Sequence, residues 1–450
     1  MGHLTTPKTR RRAIVPVLFS AVLMLALGAC AQVYPNSTFN HNTEFNTAID
    51  GVWNQLLFWG TVVFFIVEGL LIFVVFKFRK REGGPPVQVT HGNVKMELTW
   101  TVLPIVILVL IAIPTVKTIF KTQAPAPANS LEITVTGHQW WWEYEYPQYK
   151  FKTANEFYMP TGRTVNFTLK TVDVLHSFWV PQMGGKRDLI TNRINHLWYT
   201  PNADLQSMVW NGFCTEYCGT SHANMRIRAY TVKPAEFESW AAAQQMPAQF
   251  AAAAAPAAAP AAAPGKAPEK APAKAPAKAP GKSGDAGVTS AAANATIAQA
   301  GLAPGYVFPA DKLPEYAIPR TPYPAGLTFD DALLAKGDAQ RGYDLLTKGN
   351  AMCKTCHVMN GIPGMAVPIG PNLTHIASRH TIAAGIYSND AQHLARWIKN
   401  APKMKPGVKM NAWGMGEFDA VSQAVVKVPA AGGLTDEQIA DIVAFLMTLK

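Results

Sequence analysis

Charged residues are scarce in this chain: Asp, Glu, Lys and Arg make up 15% of its 450 residues, against 49% hydrophobic. That is apolar for a soluble protein but modest for a polytopic membrane protein, so a chain with both membrane and soluble parts fits better. Cysteine is scarce too, with five in all: Cys30, Cys214, Cys218, Cys353 and Cys356. Disulfides are the default for an exported chain, but the local spacings of these five favour other chemistry. The net charge of +11 is uneven, sitting mostly in an N-terminal Arg cluster, the segment Lys77 to Arg81 and five lysines of an Ala/Pro tract. There is no basic face interleaved with aromatics, which argues against nucleic acid as a partner. A membrane surface accounts for the first two clusters better.

Residues 1–31 read as a signal peptide, with Lys8, Arg10, Arg11 and Arg12 ahead of a largely apolar stretch from Ala13 to Ala29. Leu27-Gly28-Ala29-Cys30 resembles a bacterial lipoprotein cleavage box, which would leave Cys30 as a lipidated N-terminus. Ordinary cleavage before Gln32, or retention of the segment as an anchor, are the alternatives.

Residues 32–123 read as a transmembrane hairpin. Leu56 to Phe76 is an apolar run of 21 residues, enough at 1.5 Å rise per residue to cross a hydrocarbon core of ~30 Å. Lys77, Arg79, Lys80 and Arg81 follow and mark the cytoplasmic end. Gly83-Gly84-Pro85-Pro86 breaks the helix, and Trp100 to Ile119 returns the chain to the outside. A buried core helix is the bland alternative for either run. Glu68, inside the first span, should face protein or water rather than lipid.

Residues 124–240 change texture. Leu131–Thr136, Val165–Leu169 and Ile227–Val232 alternate apolar and polar, as half-buried strands do. With turn signals between them, they predict a β-sandwich or barrel. Residues 241–326 form an Ala/Pro/Lys-rich linker, extended by its prolines. Residues 327–450 read as helical, beginning with a helix near Leu327–Ala332 and ending with one capped by Thr435. Ile439, Ile442, Val443, Leu446 and Leu449 form an apolar stripe on that last helix. The expected fold class is therefore multidomain: a two-helix hairpin, an all-β domain and an all-α domain.

Cys214-Thr215-Glu216-Tyr217-Cys218 followed by His222 and Met225 is dense in soft ligands. Two thiolates four apart can bridge two metal ions, and imidazole and thioether can each cap one. That donor set selects copper over magnesium or calcium. A disulfide or a zinc site is the alternative, although zinc seldom recruits methionine.

This stretch resembles the binuclear copper (CuA) loop of cytochrome c oxidase subunit II. The resemblance runs from Asn40 to Trp240 and includes Gly137 to Tyr146, Asp173 to Phe178 and Glu97 to Thr101. It implies a cupredoxin-like domain in which Cys214 and Cys218 bridge the coppers. His176, His222, Met225 and the Glu216 carbonyl would complete the site. It further implies a Glu216 link to magnesium at the subunit I interface, and Trp140 as the exposed residue where electrons arrive. Glu97 would lie at a proton-channel mouth. Each of these three has a plainer alternative: an isolated carboxylate, a packing residue beside Trp141 and Trp142, and a solvated helix end.

Cys353-Lys354-Thr355-Cys356-His357 is the c-type haem attachment pattern, with His357 the proximal ligand. Gly370-Pro371-Asn372-Leu373 and the closing helix are similar to small soluble cytochromes c, over Phe329 to Lys450. Of Met404, Met410 and Met415, the loop Lys405-Pro406-Gly407-Val408-Lys409-Met410 best resembles the axial-methionine loop.

Together the resemblances imply the electron-input subunit of a proton-pumping haem–copper oxidase of the caa type. It would sit in the bacterial inner membrane with both redox domains on the periplasmic side. Electrons would come from a soluble cytochrome c or the bc1 complex, pass through haem c to CuA, and reach subunit I, with subunit III as a further partner. The same module in a nitric oxide reductase, and a non-enzymatic membrane electron carrier, are the alternatives.

Overall fold

The computed structural model describes residues 34–79, 83, 91–248, 250, 305–349, 351–427 and 432–450, with residues 20 and 24. The signal-peptide reading, Cys30 and most of the linker lie outside the described residues. The chain divides into two units, Met1–Ser37 and Thr38–Lys450. In the first, the Ser37 N–H closes a turn onto the Tyr34 carbonyl. All that follows concerns the second.

Helices α1 (Glu44–Lys77) and α2 (Val94–Gln123) are both long and apolar enough to cross a membrane. Each outruns the span expected for it, because polar first turns extend them. Thr43 caps α1 and Asn93 caps α2 through their side chains. Side chains such as Phe58, Phe64, Phe65, Leu103 and Ile105 are exposed on them, a surface that water would not tolerate but lipid or partner helices would. The α1 N-terminus is tied to the next domain: the Thr43 hydroxyl donates to the Met183 carbonyl at 2.6 Å, and Glu44 accepts the Thr200 N–H at 3.0 Å.

Ten strands follow: β1 (Leu131–His138), β2 (Trp141–Tyr146), β3 (Phe151–Ala154), β4 (Glu156–Pro160), β5 (Val165–Thr171), β6 (His176–Trp179), β7 (Arg187–Leu189), β8 (Asn195–Tyr199), β9 (Met208–Cys214) and β10 (Arg226–Val232). They form two five-stranded sheets, ordered β3-β2-β1-β5-β8 and β4-β10-β9-β6-β7. The strand period of two sorts the aromatics. On β2, Trp142, Tyr144 and Tyr146 are fully buried between the sheets, while Trp141, Glu143 and Glu145 face outward. Phe157, Phe167, Phe178 and Tyr199 complete this aromatic core. Helix α3 (Pro234–Gln244) closes the domain with Phe237 and Trp240.

The linker's described ends are packed rather than free. Tyr306 and Phe308 join the β-domain core, and the Tyr316 hydroxyl donates to the Val209 carbonyl at 2.8 Å. At the other end Phe250 stacks on Tyr343 and meets Phe445 edge-on. Both ends carry aromatic residues that the Ala/Pro composition between them lacks.

The last domain contains α4 (Ala339–Thr347), α5 (Ala391–Lys399), α6 (Ala401–Met404) and α7 (Asp436–Leu446). The helix expected from Leu327 is a 3-10 turn over Asp331–Lys336, capped by Asp330. Thr435 and Gln438 form a reciprocal capping box at the start of α7. Its stripe Ile439, Ile442, Val443, Leu446 and Leu449 is buried as the periodicity predicts. The two domains bury a shared boundary, on which both candidate sites lie.

Candidate functional site: a thiol–imidazole cluster beside a haem-sized cavity

His176 opens β6, Cys214 ends β9, and the loop to β10 carries Cys218, His222 and Met225. Sheet pairing of β6 with β9 sets Phe178 opposite Cys214 and so brings the upstream histidine to the loop. The Cys214 and Cys218 sulfurs lie 3.7 Å apart, as free thiols. Cys214 Sγ sits 3.8 Å from His176 Nδ1 and 3.3 Å from the Glu216 carbonyl. Cys218 Sγ sits 3.5 Å from His222 Nδ1 and 3.9 Å from Met225 Sδ. The donors thus divide into two sets, each built around one sulfur.

The surroundings orient these donors. Asp173 Oδ1 lies 2.9 Å from His176 Nε2, so that nitrogen carries the proton and Nδ1 faces the thiols. Burial would lower the His176 pKa, but Asp173 and Cys214 outweigh it and raise it. The Cys218 thiol, with help from His176 and backbone N–H groups, draws the Cys214 pKa down, while Cys218 is raised by its neighbour. The pair thus favours one thiolate, and a cation is needed to hold the second. The soft donor set and paired geometry fit two copper ions.

The second site is a cavity of about 550 Å³ lined by Cys353, Cys356, His357 and Met410. His357 Nδ1 donates to the Pro371 carbonyl at 2.8 Å, which leaves Nε2 bare as a ligand. Burial lowers the His357 pKa and keeps the ring neutral. A Cβ on Gly370 would stand 2.6 Å from His357 Cε1, so glycine is required beside the ring. Arg379, half-buried, also lines the cavity, with its Nε unpartnered among the described residues and a terminal nitrogen donating to the Asn372 carbonyl. A cation with a free donor suits the carboxylates of a haem. The residues present therefore fit haem c. Met404 is buried in the core and Met415 is exposed, whereas Met410 lies on the cavity wall.

Trp140 joins the two sites. Its indole Nε1–H donates to the Cys218 carbonyl at 2.9 Å, and it also lines the haem-sized cavity. Resemblance predicts an exposed residue here, but Trp140 is only 8% exposed. Gly407, at φ +86°, covers it; a Cβ there would fall 3.1 Å from the indole. Lys405 Nζ donates to the Trp140 carbonyl at 2.6 Å, and the Ser221 hydroxyl donates to the Pro406 carbonyl. Glu156 adds a second anchor, accepting from the Thr381 N–H at 2.7 Å and its hydroxyl at 2.6 Å.

The remaining expected residues lie apart. Glu216 offers its carbonyl to Cys214, but its side chain is exposed. Glu97 is exposed in the first turn of α2. Sequence reasoning missed Arg379, Lys405 and Glu156, because what marks them is burial and contact across domains.

The architecture defines a class: two helices long and apolar enough to cross a membrane, a cupredoxin-like domain and a cytochrome c domain. Family models match in three segments. Cytochrome C oxidase subunit II, transmembrane domain, matches residues 37–118; its periplasmic domain matches 150–232; Cytochrome c matches 339–450. The chain is 39% identical over 211 residues to a cytochrome c oxidase subunit 2 of Alkalihalophilus pseudofirmus, covering 43% of this chain and 60% of that one. It is 33% identical over 209 residues to a probable cytochrome c oxidase subunit 2 of Rickettsia bellii, covering 42% of this chain and 76% of that one. The match to the Alkalihalophilus protein thus spans less than two thirds of its length. The solved periplasmic domain of subunit II of cytochrome oxidase from Bradyrhizobium japonicum is 31% identical, covers 27% of this chain and 97% of that one, and has a TM-score of 0.26. The chain belongs to the cytochrome c oxidase subunit II family, with a cytochrome c domain at its C-terminus.

Proposed function

We propose that this chain is the electron-input subunit of a proton-pumping haem–copper terminal oxidase. The observation that carries the reading is Trp140, which touches the Cys218 carbonyl on one side and the wall of the haem-sized cavity on the other. Cys214 and Cys218 would bridge a CuA pair capped by His176, His222, Met225 and the Glu216 carbonyl. Cys353 and Cys356 would bind haem c covalently, with His357 and Met410 as axial ligands. When bound, these groups supply reversible one-electron chemistry.

The protein's own part is to hold and insulate. Asp173 fixes the His176 tautomer through its 2.9 Å contact. Gly407 and Lys405 seal Trp140 from water. The tether keeps donor and acceptor domains at high effective concentration.

The donor would be a soluble cytochrome c or the bc1 complex, and subunits I and III the membrane partners. Both redox domains would face the periplasm from a two-pass anchor in the inner membrane. Glu216 would contribute to a magnesium site at the subunit I boundary and Glu97 to a proton-channel mouth. Cys30 would be the lipidation site if the leader is of the lipoprotein type.

The test uses the complex purified from native membranes through this subunit and supplied with ascorbate-reduced cytochrome c. Cyanide-sensitive oxygen uptake supports the terminal oxidase. Nitric oxide loss without oxygen uptake overturns it and leaves the ligand assignments in place.

A further inference from the structure

A second cavity, of about 480 Å³, lies behind the copper loop. Arg226 and Arg228 of β10 form one wall, and Glu315, Tyr316 and Arg320 of the returning linker form another. Its electrostatics are unbalanced. Arg228 is 3% exposed, and its two terminal nitrogens donate only to carbonyls, Ile227 O at 3.3 Å and Gly385 O at 3.1 Å. Its Nε has no partner among the described residues. Among the described residues no carboxylate pairs with Arg226 or Arg228. The only carboxylate on the wall, Glu315, is already paired with Arg320. Glu156 acts on Arg228 at longer range, but its oxygens are taken up by His380 and Thr381.

Both guanidiniums, Arg228 buried and Arg226 half-buried, remain protonated at neutral pH. A buried charge without a counter-charge is unfavourable. Asn211 Oδ1 on the same wall is also unpartnered, an acceptor in need of a donor, while its Nδ2 donates to the Tyr316 carbonyl at 3.2 Å. A hydrogen phosphate group answers both needs, with anionic oxygens for the arginines and an O–H for Asn211.

We infer that the cavity between β10 and the segment 315–320 binds a small phosphate-bearing anion. Such a ligand would join β10 of the cupredoxin-like domain to the linker, and Arg228 carries the connection on to the Gly385 carbonyl of the cytochrome c domain. The site is separate from the copper and haem positions.

The test is calorimetric titration of the full-length chain, loaded with copper and haem, with inorganic pyrophosphate at constant ionic strength. Saturable 1:1 binding is expected. Arg226→Gln should weaken it by about 10- to 100-fold, the effect of losing one charge-assisted hydrogen bond. Glu315→Gln should tighten it, because Arg320 is then released to the ligand. The opposite signs separate a specific site from a folding defect. Heat that does not saturate, or equal binding by the wild type and Arg226→Gln, overturns the inference.

Discussion

The indole N–H of Trp140 donates to the carbonyl of Cys218 at 2.9 Å. One residue is thereby bonded to the copper-type loop and lines the cavity of the cytochrome c domain. Trp140→Phe keeps a ring in place and removes the donor. Its stability cost should be about 1 kcal/mol, the ordinary value of one such bond. Electron transfer from haem to copper should slow severalfold while copper content and the copper spectrum stay unchanged. Flash-induced reduction of the haem, followed at both chromophores, checks this. An unchanged rate would show that electrons bypass the indole.

Met410 lies on the cavity wall while Met404 is 4% exposed in the core and Met415 is 37% exposed. Met410→Ala should abolish the thioether-to-ferric-haem absorption band and lower the haem potential. Met415→Leu should leave both unchanged. Met404→Ala should preserve the band at a cost of about 2–5 kcal/mol in thermal stability, as for other core truncations. Loss of the band in Met415→Leu instead would reassign the ligand.

Much of this site was legible in sequence because its signals are local. Cys214, Cys218, His222 and Met225 fall within twelve residues, and Cys353, Cys356 and His357 within five. His176 was legible only through its resemblance motif, since its link to Cys214 is the pairing of β6 with β9. The cover over Trp140 was not legible at all. It depends on Gly407, 267 positions away (407 − 140), whose contact exists only once two domains have docked. The same holds for Glu156, which sits on β4 as an ordinary strand glutamate until the Thr381 backbone meets it.

Glu156 is 3% exposed, and its carboxylate accepts from His380, the Thr381 N–H and the Thr381 hydroxyl. Glu156→Ala should leave those donors without partners and weaken docking of the cytochrome c domain by about 1.5–3 kcal/mol per lost charged bond. Faster amide exchange at Thr381, with the copper spectrum intact, is the expected result. Unchanged protection would remove Glu156 as an anchor.

Asp419 braces the methionine loop from below. It accepts from Asn411 at 2.7 Å, the Ala412 N–H at 3.0 Å and the Ser422 hydroxyl at 2.6 Å. Burial alone would raise its pKa, but these bonds outweigh burial and hold it down at about 2. An unfolded aspartate titrates near ~3.9. Stabilisation is therefore complete above about 4 and lost as the pH falls toward 2. Acid titration should detach Met410 in that window while the haem stays attached through Cys353 and Cys356. Asp419→Asn should loosen the loop at neutral pH and flatten the acid dependence.

Lys405 has the opposite sign. Burial, opposed by Cys218, pulls its pKa down to about 7, while its Nζ donates to the carbonyls of Trp140 at 2.6 Å and Ala383 at 3.1 Å. Undocking returns the amine to water, where it titrates near ~10.4. The undocked state thus binds more protons between about 7 and 10.4, and docking strengthens as pH rises through that window. A neutral amine still donates, so both bonds survive deprotonation. Lys405→Met should remove the pH dependence together with the bond to Trp140. Cross-linking yield between the two domains, measured from about pH 7.5 to about 9.5 in wild type and variant, checks this within the ~7–10.4 window. A yield that falls with pH, or one that rises equally in Lys405→Met, would show that Lys405 does not set the docking equilibrium.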